Sequence, residues 1–436
     1  MRRLFLVLIC AAAVSATTAA QSPPAASSPI GLALFDEVWK TINDTFYDPT
    51  FGGLDWPGVR DELRPKAAAA ASVDAARAVV NEMLARLKRS HFALLPGSAA
   101  ADDGLTLNGE ATVDIEFRVL ANDVVITRDR SASGMGPGGR LTGLTIQRID
   151  GRDMRPAPGA PALLTWRRAN AALHGPEGSV AVIAVSDDDP AVAGRGLNEE
   201  VKLPRRILPG VPVRFSNLPP MRVRVEQRMV QTPVGRGVGV IGFNIWMAAI
   251  NNPVARAVDA FRGADGLIFD LRGNPGGLAA MIDGVAGHIL DRPDLLGTMR
   301  MRQVPQLKFV VNPRTTTIDG RVVKPYGGPV AILVDEMTAS ASECFAGGLQ
   351  DLGRVRVFGR RSMGQALPAS TKRLANGDVL EYVVGDFVTS KGRSLEGGGV
   401  VPDEIQPLSI GSLKAGHDDP MRAALAWFDR QGRQVR

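Results

Sequence analysis

The sequence predicts an α/β core preceded by a helical segment and a small β-rich module. Three patterns carry that fold class. Gly266–Leu271 (GLIFDL) and Val330–Val334 (VAILV) are short, mostly apolar runs of the kind that form strands buried on both faces. Helical patterns alternate with these runs, which argues for a largely parallel sheet with helices packed on it. Upstream, apolar residues recur at helical spacing over 30–95, then give way over 105–205 to strand patterns broken by glycine. At 436 residues the chain is too long for one ordinary core, so more than one domain is expected.

The elements follow in order. Met1-Arg2-Arg3 is a short basic start, Leu4–Val14 an apolar run, and Thr18-Ala19-Ala20 a small-residue site. This tripartite pattern predicts a signal peptide over 1–20, cleaved near Ala20, and a mature protein that is periplasmic or extracellular. The apolar run is too short to span a bilayer, so an integral membrane protein is not expected. The bulky Ile9 before Cys10 argues against a lipidated cysteine. Residues 21–29 (QSPPAASSP) read as a disordered leader. Loss of the signal leaves Cys344 as the single cysteine, which excludes an internal disulfide and a cysteine metal site.

Ile30, Leu34, Phe35, Val38 and Ile42 share a helix face, Asp55-Trp56-Pro57 starts a second helix, and Ser72 caps a third that ends at Lys88-Arg89. Residues 30–98 thus read as a helical domain. Strands are expected over 111–120, 124–128, 144–151, 179–185 and 222–229, with a short helix over 161–173, so 105–205 reads as a β module. In the core (206–408) strands are expected over 238–245, 266–271, 330–334 and 355–358. Helices are expected over 252–261, 278–290 and 340–352, the last stopped by Gly353. Residues 409–436 form a helical tail. The net charge of +6 is scattered, with no basic stripe interleaved with aromatics, which argues against nucleic-acid binding.

Four segments could carry chemistry. Ser340 and Ser342 in DEMTASASE stand where a helix begins after a buried strand. Free N–H groups and the helix dipole there favour negative charge. The bland alternative is a helix cap, with Glu343 completing a capping box from Ser340. DLRGNPGG (Asp270–Gly277) also follows a buried strand, and its glycine pair lets backbone N–H groups approach an oxyanion. No Gly-Lys-Ser/Thr follows, which disfavours a nucleotide loop. Among the four histidines, His91 lies just after a helix in Arg89-Ser90-His91-Phe92. Taken alone, it is more often a packing residue than a base. Glu396 opens a glycine-rich turn, EGGGVVPD.

Together these segments resemble the C-terminal-processing (tail-specific) proteases and their tricorn-core relatives. The likeness runs over about 30–430 and rests on FYDP, LDW, SH, DLRGNPGG, TASASE, Leu349-Gln350-Asp351 and EGGGVVPD. It implies a crotonase/ClpP-like α/β core carrying a PDZ-like module, the latter at 105–205, where Gly143-Leu144 replaces that module's usual Gly-Asp. It implies Ser340 as nucleophile and oxyanion donors at Ala341 and at one glycine of Gly276-Gly277. The family's catalytic lysine is missing: Gln365 follows Gly364, and Ala369 replaces the supporting glutamine. The tricorn-like branch uses Ser-His and a late glutamate instead, which implies His91 as base with Ser90 and Glu396 orienting it. Nothing in the spacing of Lys372 makes it a substitute. The expected protein is an exported serine peptidase acting on peptide or protein substrates. No cofactor or metal is expected, and homo-oligomer formation is left open. The alternative is a non-catalytic binder of peptides or hydrophobic ligands on the same fold, which would not need His91 near Ser340. Cys344, on the helix after Ser340, is expected to be structural.

Overall fold

The computed structural model describes residues 29–97, 107–130, 139–157, 159–187, 198–213, 221–302 and 304–431. The expected signal segment and residues 21–28 of the leader lie outside them. Among the described residues no helix is long and apolar enough to cross a membrane.

The central sheet runs Val225–Gln231, Gly237–Phe243, Gly266–Asp270, Val330–Val334, Arg356–Gly359, Glu404–Ile405. Its first pair is antiparallel and the rest are parallel. The apolar runs are continuous because both faces are covered. Leu267, Phe269, Val330, Ile332 and Val334 pack with Phe345 and Leu349 of the helix Ala341–Asp351. The alternate residues Ile268, Ala331 and Leu333 pack against Met421, Ala424 and Phe428 of the C-terminal helix Asp419–Gln431. This period-two division explains why neither strand alternates with polar residues.

Two elements depart from the sequence reading. The helix expected over 278–290 is only Met281–Ala286. Leu278 N–H is taken by Trp246 O at 2.7 Å, and both ends close as three-residue turns, Met281 N–H to Leu278 O and Ile289 N–H to Ala286 O. The segment expected to be wholly helical ends in a strand, Ala93–Leu95, which pairs antiparallel with Val379–Val383. That strand forms a hairpin with Ala369–Arg373. Leu367, Leu374, Leu380 and Val383 share one core with Phe35, Val38, Trp56, Leu63 and Met83. The apolar faces of the N-terminal helices are therefore closed by a hairpin from far along the chain. Arg77 reinforces the join by pairing with the fully buried Asp378 at 2.7 Å.

Strands Ile115–Leu120, Asp123–Asp129, Thr145–Ile149, Val180–Ser186 and Asn198–Pro204 form a separate antiparallel sheet. The helix Ala162–Leu173 covers it, and it has its own core around Phe117, Ile126, Ile146 and Ile183. The module meets the central sheet where Arg130 pairs with Glu226 at 2.6 Å, and reaches the turn after Val330–Val334 through Arg118, whose Nε donates to Asp335 Oδ2 at 2.6 Å. The other oxygen of Asp335 accepts from Gly273 N–H (2.9 Å) and Met337 N–H (3.0 Å). One buried carboxylate thus joins the module, the DLRGNPGG loop and the turn before Ser340. Arg118→Met leaves that carboxylate short of its cation. With side-chain exposures of only 11% and 7% for Arg118 and Asp335, the loss costs about 3–5 kcal/mol of folding stability, measurable by denaturant unfolding.

Candidate active site

Ser340 sits between the end of strand Val330–Val334 and the helix Ala341–Asp351, at φ 53° and ψ −121°. A serine at positive φ is strained, and such strain persists only where surrounding bonds enforce it. Ser340 N–H donates to Gln365 O at 2.8 Å and to Glu343 Oε2 at 3.0 Å. The preceding Ala339 N–H donates to Asn274 O at 3.1 Å. A sharp strand-to-helix turn of this kind presents a hydroxyl outward. Ser342 is excluded from such a role, because it is fully buried and its Oγ accepts from the Trp246 indole at 2.8 Å.

The glycine pair faces this turn. A Cβ on Gly276 would stand 2.5 Å from Ser340 Cβ and 3.0 Å from Ala341 N, so only glycine allows the approach. The two glycines differ in their N–H groups. Gly276 N–H is committed to Asn274 Oδ1 at 3.0 Å, which removes it as the oxyanion donor considered from sequence. Gly277 N–H and Ala341 N–H have no acceptor among the described residues, leaving both available to an added oxygen.

His91 also has positive φ, 58°. Its Nδ1 lies 2.7 Å from Ser90 Oγ, and Ser90 Oγ donates to Glu396 Oε2 at 3.0 Å. The Ser90 hydroxyl has one proton, given to the carboxylate, so it must accept from Nδ1–H. That fixes the tautomer and leaves the Nε2 lone pair as the ring's acceptor. Glu396 also accepts from Ser90 N–H at 2.9 Å and Ala366 N–H at 3.1 Å. Burial holds the His91 pKa below its ordinary value, against the opposing pull of Glu381 and Glu396. The imidazole is therefore neutral at pH 7.

Segment 362–367 holds these parts together. Gln365 O receives Ser340 N–H, and Ala366 N–H reaches Glu396. Gly397 N–H donates to Gly364 O at 2.8 Å. The Glu396 turn lies so close that a Cβ on Gly399 would stand 2.7 Å from Ser362 O. Ser90, His91 and Glu396 are thus brought into one hydrogen-bonded chain, tied to Ser340 through the backbone of Gln365 and Ala366. A cleft of about 410 Å³ opens beside it, walled by Leu84, Phe92, Met363 and Gln365 and rimmed by Lys88 and Arg89.

The other candidates lie elsewhere. Lys372 Nζ is held by Thr41 Oγ1 at 3.0 Å and Glu37 Oε1 at 3.2 Å. His174 Nδ1 bonds Asn170 O at 2.7 Å, and burial pushes His288 down to about 4. Cys344 is buried, and burial, aided by Glu343, raises its thiol well above the usual range, so it is not a thiolate at neutral pH. Cys344→Ala should cost about 1–2 kcal/mol in thermal or denaturant unfolding and leave hydrolysis nearly intact.

Residues 237–405 match peptidase family S41. The core of this chain is an S41 peptidase domain. Residues 33–85 match the tricorn protease C1 domain. The carboxyl-terminal-processing protease of Synechocystis sp. is 27% identical over 397 residues, covering 89% of this chain and 84% of that one. The chloroplastic carboxyl-terminal-processing peptidase 3 of Arabidopsis thaliana is 25% identical, covering 84% and 67%. Among solved structures, the photosystem II D1 C-terminal processing protease superposes with a TM-score of 0.57 at 22% identity, over 88% of this chain and 94% of that one. The S41 fold, with its mixed α/β content, is therefore that of the protein, and the carboxyl-terminal-processing proteases are what its sequence is similar to.

Proposed function

We propose that this S41 protein is an exported serine endopeptidase with a histidine base in place of the Ser–Lys pair. The observation that carries the reading is the Glu396–Ser90–His91 chain, joined through Gln365 and Ala366 to a strained serine turn. His91 Nε2 takes the Ser340 proton as Oγ bonds to the substrate carbonyl carbon. The carbonyl oxygen becomes an oxyanion received by Gly277 and Ala341 N–H. Collapse returns the proton from His91 to the leaving amine and leaves an acyl-Ser340 ester. Water, deprotonated by the same imidazole, then releases the acid. Glu396 acts through Ser90, which keeps Nδ1 protonated and stabilises the imidazolium as it forms. Gln365, at the step where the resemblance puts a lysine, contributes its backbone to this arrangement. The separate β sheet at 115–204 is the part suited to hold an extended peptide segment, as a PDZ-like module does by strand addition. A fluorophosphonate probe should label Ser340, mapped by mass spectrometry, and His91→Ala should abolish labelling. Labelling that survives loss of His91 would overturn the assignment of the base.

A further inference from the structure

Beneath the strained turn lies a carboxyl group that this mechanism does not use. Glu343 is fully buried, and both its oxygens are occupied. Oε1 accepts from Ser362 Oγ at 2.5 Å and Gly364 N–H at 2.7 Å. Oε2 accepts from Ser340 N–H and Gln365 N–H, both at 3.0 Å. A carboxylate offers about four lone-pair sites, and four donors fill them. One donor is the nucleophile's own backbone. The other three belong to the segment whose Ala366 N–H holds Glu396. Glu343 is therefore where the Ser340 turn and the segment carrying the histidine's support are fastened to one another.

We propose that Glu343 is a positioning residue whose ionised form holds Ser340 in its strained, attack-ready conformation, so that protonation of this carboxyl switches the site off. The inference rests on the serine-peptidase reading above. A proton on either oxygen takes one of the four acceptor sites and points at a donor. It also turns a charge-assisted acceptor into a neutral one, at roughly half the strength. Ser340 then loses part of the restraint that opposes its positive φ.

The surroundings make this proton labile near neutrality. Burial pushes the Glu343 carboxyl up to about 7, against the lowering effect of the Ser362 hydroxyl and the Gly364, Ser340 and Gln365 N–H groups. Among the described residues no charged side chain bonds it. Its neighbours are that hydroxyl, those three amides and the neutral thiol of Cys344. Burial moves the two groups in opposite directions, His91 down from its ordinary value and Glu343 up. On this proposal the acid limb of the activity profile follows Glu343. The stability consequence has the opposite sense. Since the folded pKa is raised, stability from this group is full below the ordinary carboxyl range and is lost as pH rises through about 7.

The test uses the full chain and two readouts. The first is the infrared difference between wild type and E343Q over pH 5–9, which follows the buried carboxyl without substrate. The second is the rate of Ser340 labelling by a fluorophosphonate over the same range. The expected result is a protonated-carboxyl band that disappears with a midpoint near 7, and a labelling rate that rises with the same midpoint. E343Q, which cannot ionise, labels at least about tenfold more slowly at pH 8, and its remaining acid limb falls to the lower pH of His91. Ser362→Ala removes one donor to the ionised form and moves both midpoints alkaline by about one unit, whereas a merely structural role would lower the rate without moving them. A carboxyl already ionised at pH 5 overturns the inference. So does a band midpoint near 7 that labelling does not follow. If E343Q does not fold, the paired midpoints in wild type and Ser362→Ala decide. No labelling of folded wild type at any pH overturns the peptidase reading itself, and this inference with it.

Discussion

Ser340→Ala and His91→Ala should each lower peptide hydrolysis by about 10⁴- to 10⁶-fold, and the double variant should be little slower than either. Such non-additivity is expected because the two residues perform one step: without the imidazole the hydroxyl is a poor nucleophile, and without the hydroxyl the imidazole has no proton to take. Glu396→Gln should cost less. A glutamine oxygen can still accept from Ser90, but the amide loses the charge that stabilises the imidazolium, and its NH2 faces Ser90 N–H or Ala366 N–H. Ser90→Ala is the more telling variant. It removes the link between Nδ1 and Glu396 while leaving both groups in place. It should lower kcat with little change in KM, since Ser90 acts on the base rather than the substrate. Steady-state kinetics on the four variants separates these cases. Equal losses in kcat and KM across all of them would point to a disordered site instead.

The sequence reveals part of this site readily and part of it not at all. GLIFDL and VAILV can be read as central strands because burial on both faces removes any need for polar alternation, a purely local signature. Ser340 and the glycine pair are marked by motifs at strand ends, where backbone N–H groups are free. The partition of roles inside those motifs is hidden. Nothing local says that Gly276 N–H is spent on Asn274 while Gly277 N–H is free, since both stand in the same loop. The positive φ of His91 is equally silent, because no glycine or asparagine advertises it. The hairpin over 369–383 pairs with Ala93–Leu95 across nearly three hundred residues, a register that depends on tertiary packing rather than on either segment's own pattern. Glu343 reads locally as a capping residue. Its bonds to Ser362, Gly364 and Gln365 come from a segment some twenty positions later, and these turn a cap into a fastening point.

Gly276→Ala should lower kcat by about 10²- to 10³-fold, the range lost when one oxyanion donor is removed, with only a modest change in KM. Two effects act together. At φ 98° an alanine is strained, and its methyl would stand 2.5 Å from Ser340 Cβ and 2.9 Å from Ala339 O, closer than carbon atoms tolerate. Relief can come only by moving the loop or the turn, because the chain on both sides is fixed. Gly276 O accepts from Trp246 N–H at 2.8 Å, and Leu278 N–H donates back to Trp246 O at 2.7 Å. The loop is therefore pushed from the serine with Gly277 N–H carried along, and the two donors no longer point to one position. The substrate carbonyl can still lie in the site, so binding survives better than turnover. Fluorophosphonate labelling of the variant should fall with kcat, because the tetrahedral adduct needs the same two N–H groups. A variant that labels and turns over like the wild type would place the oxyanion elsewhere and leave the approach of Gly276 to Ser340 as packing alone.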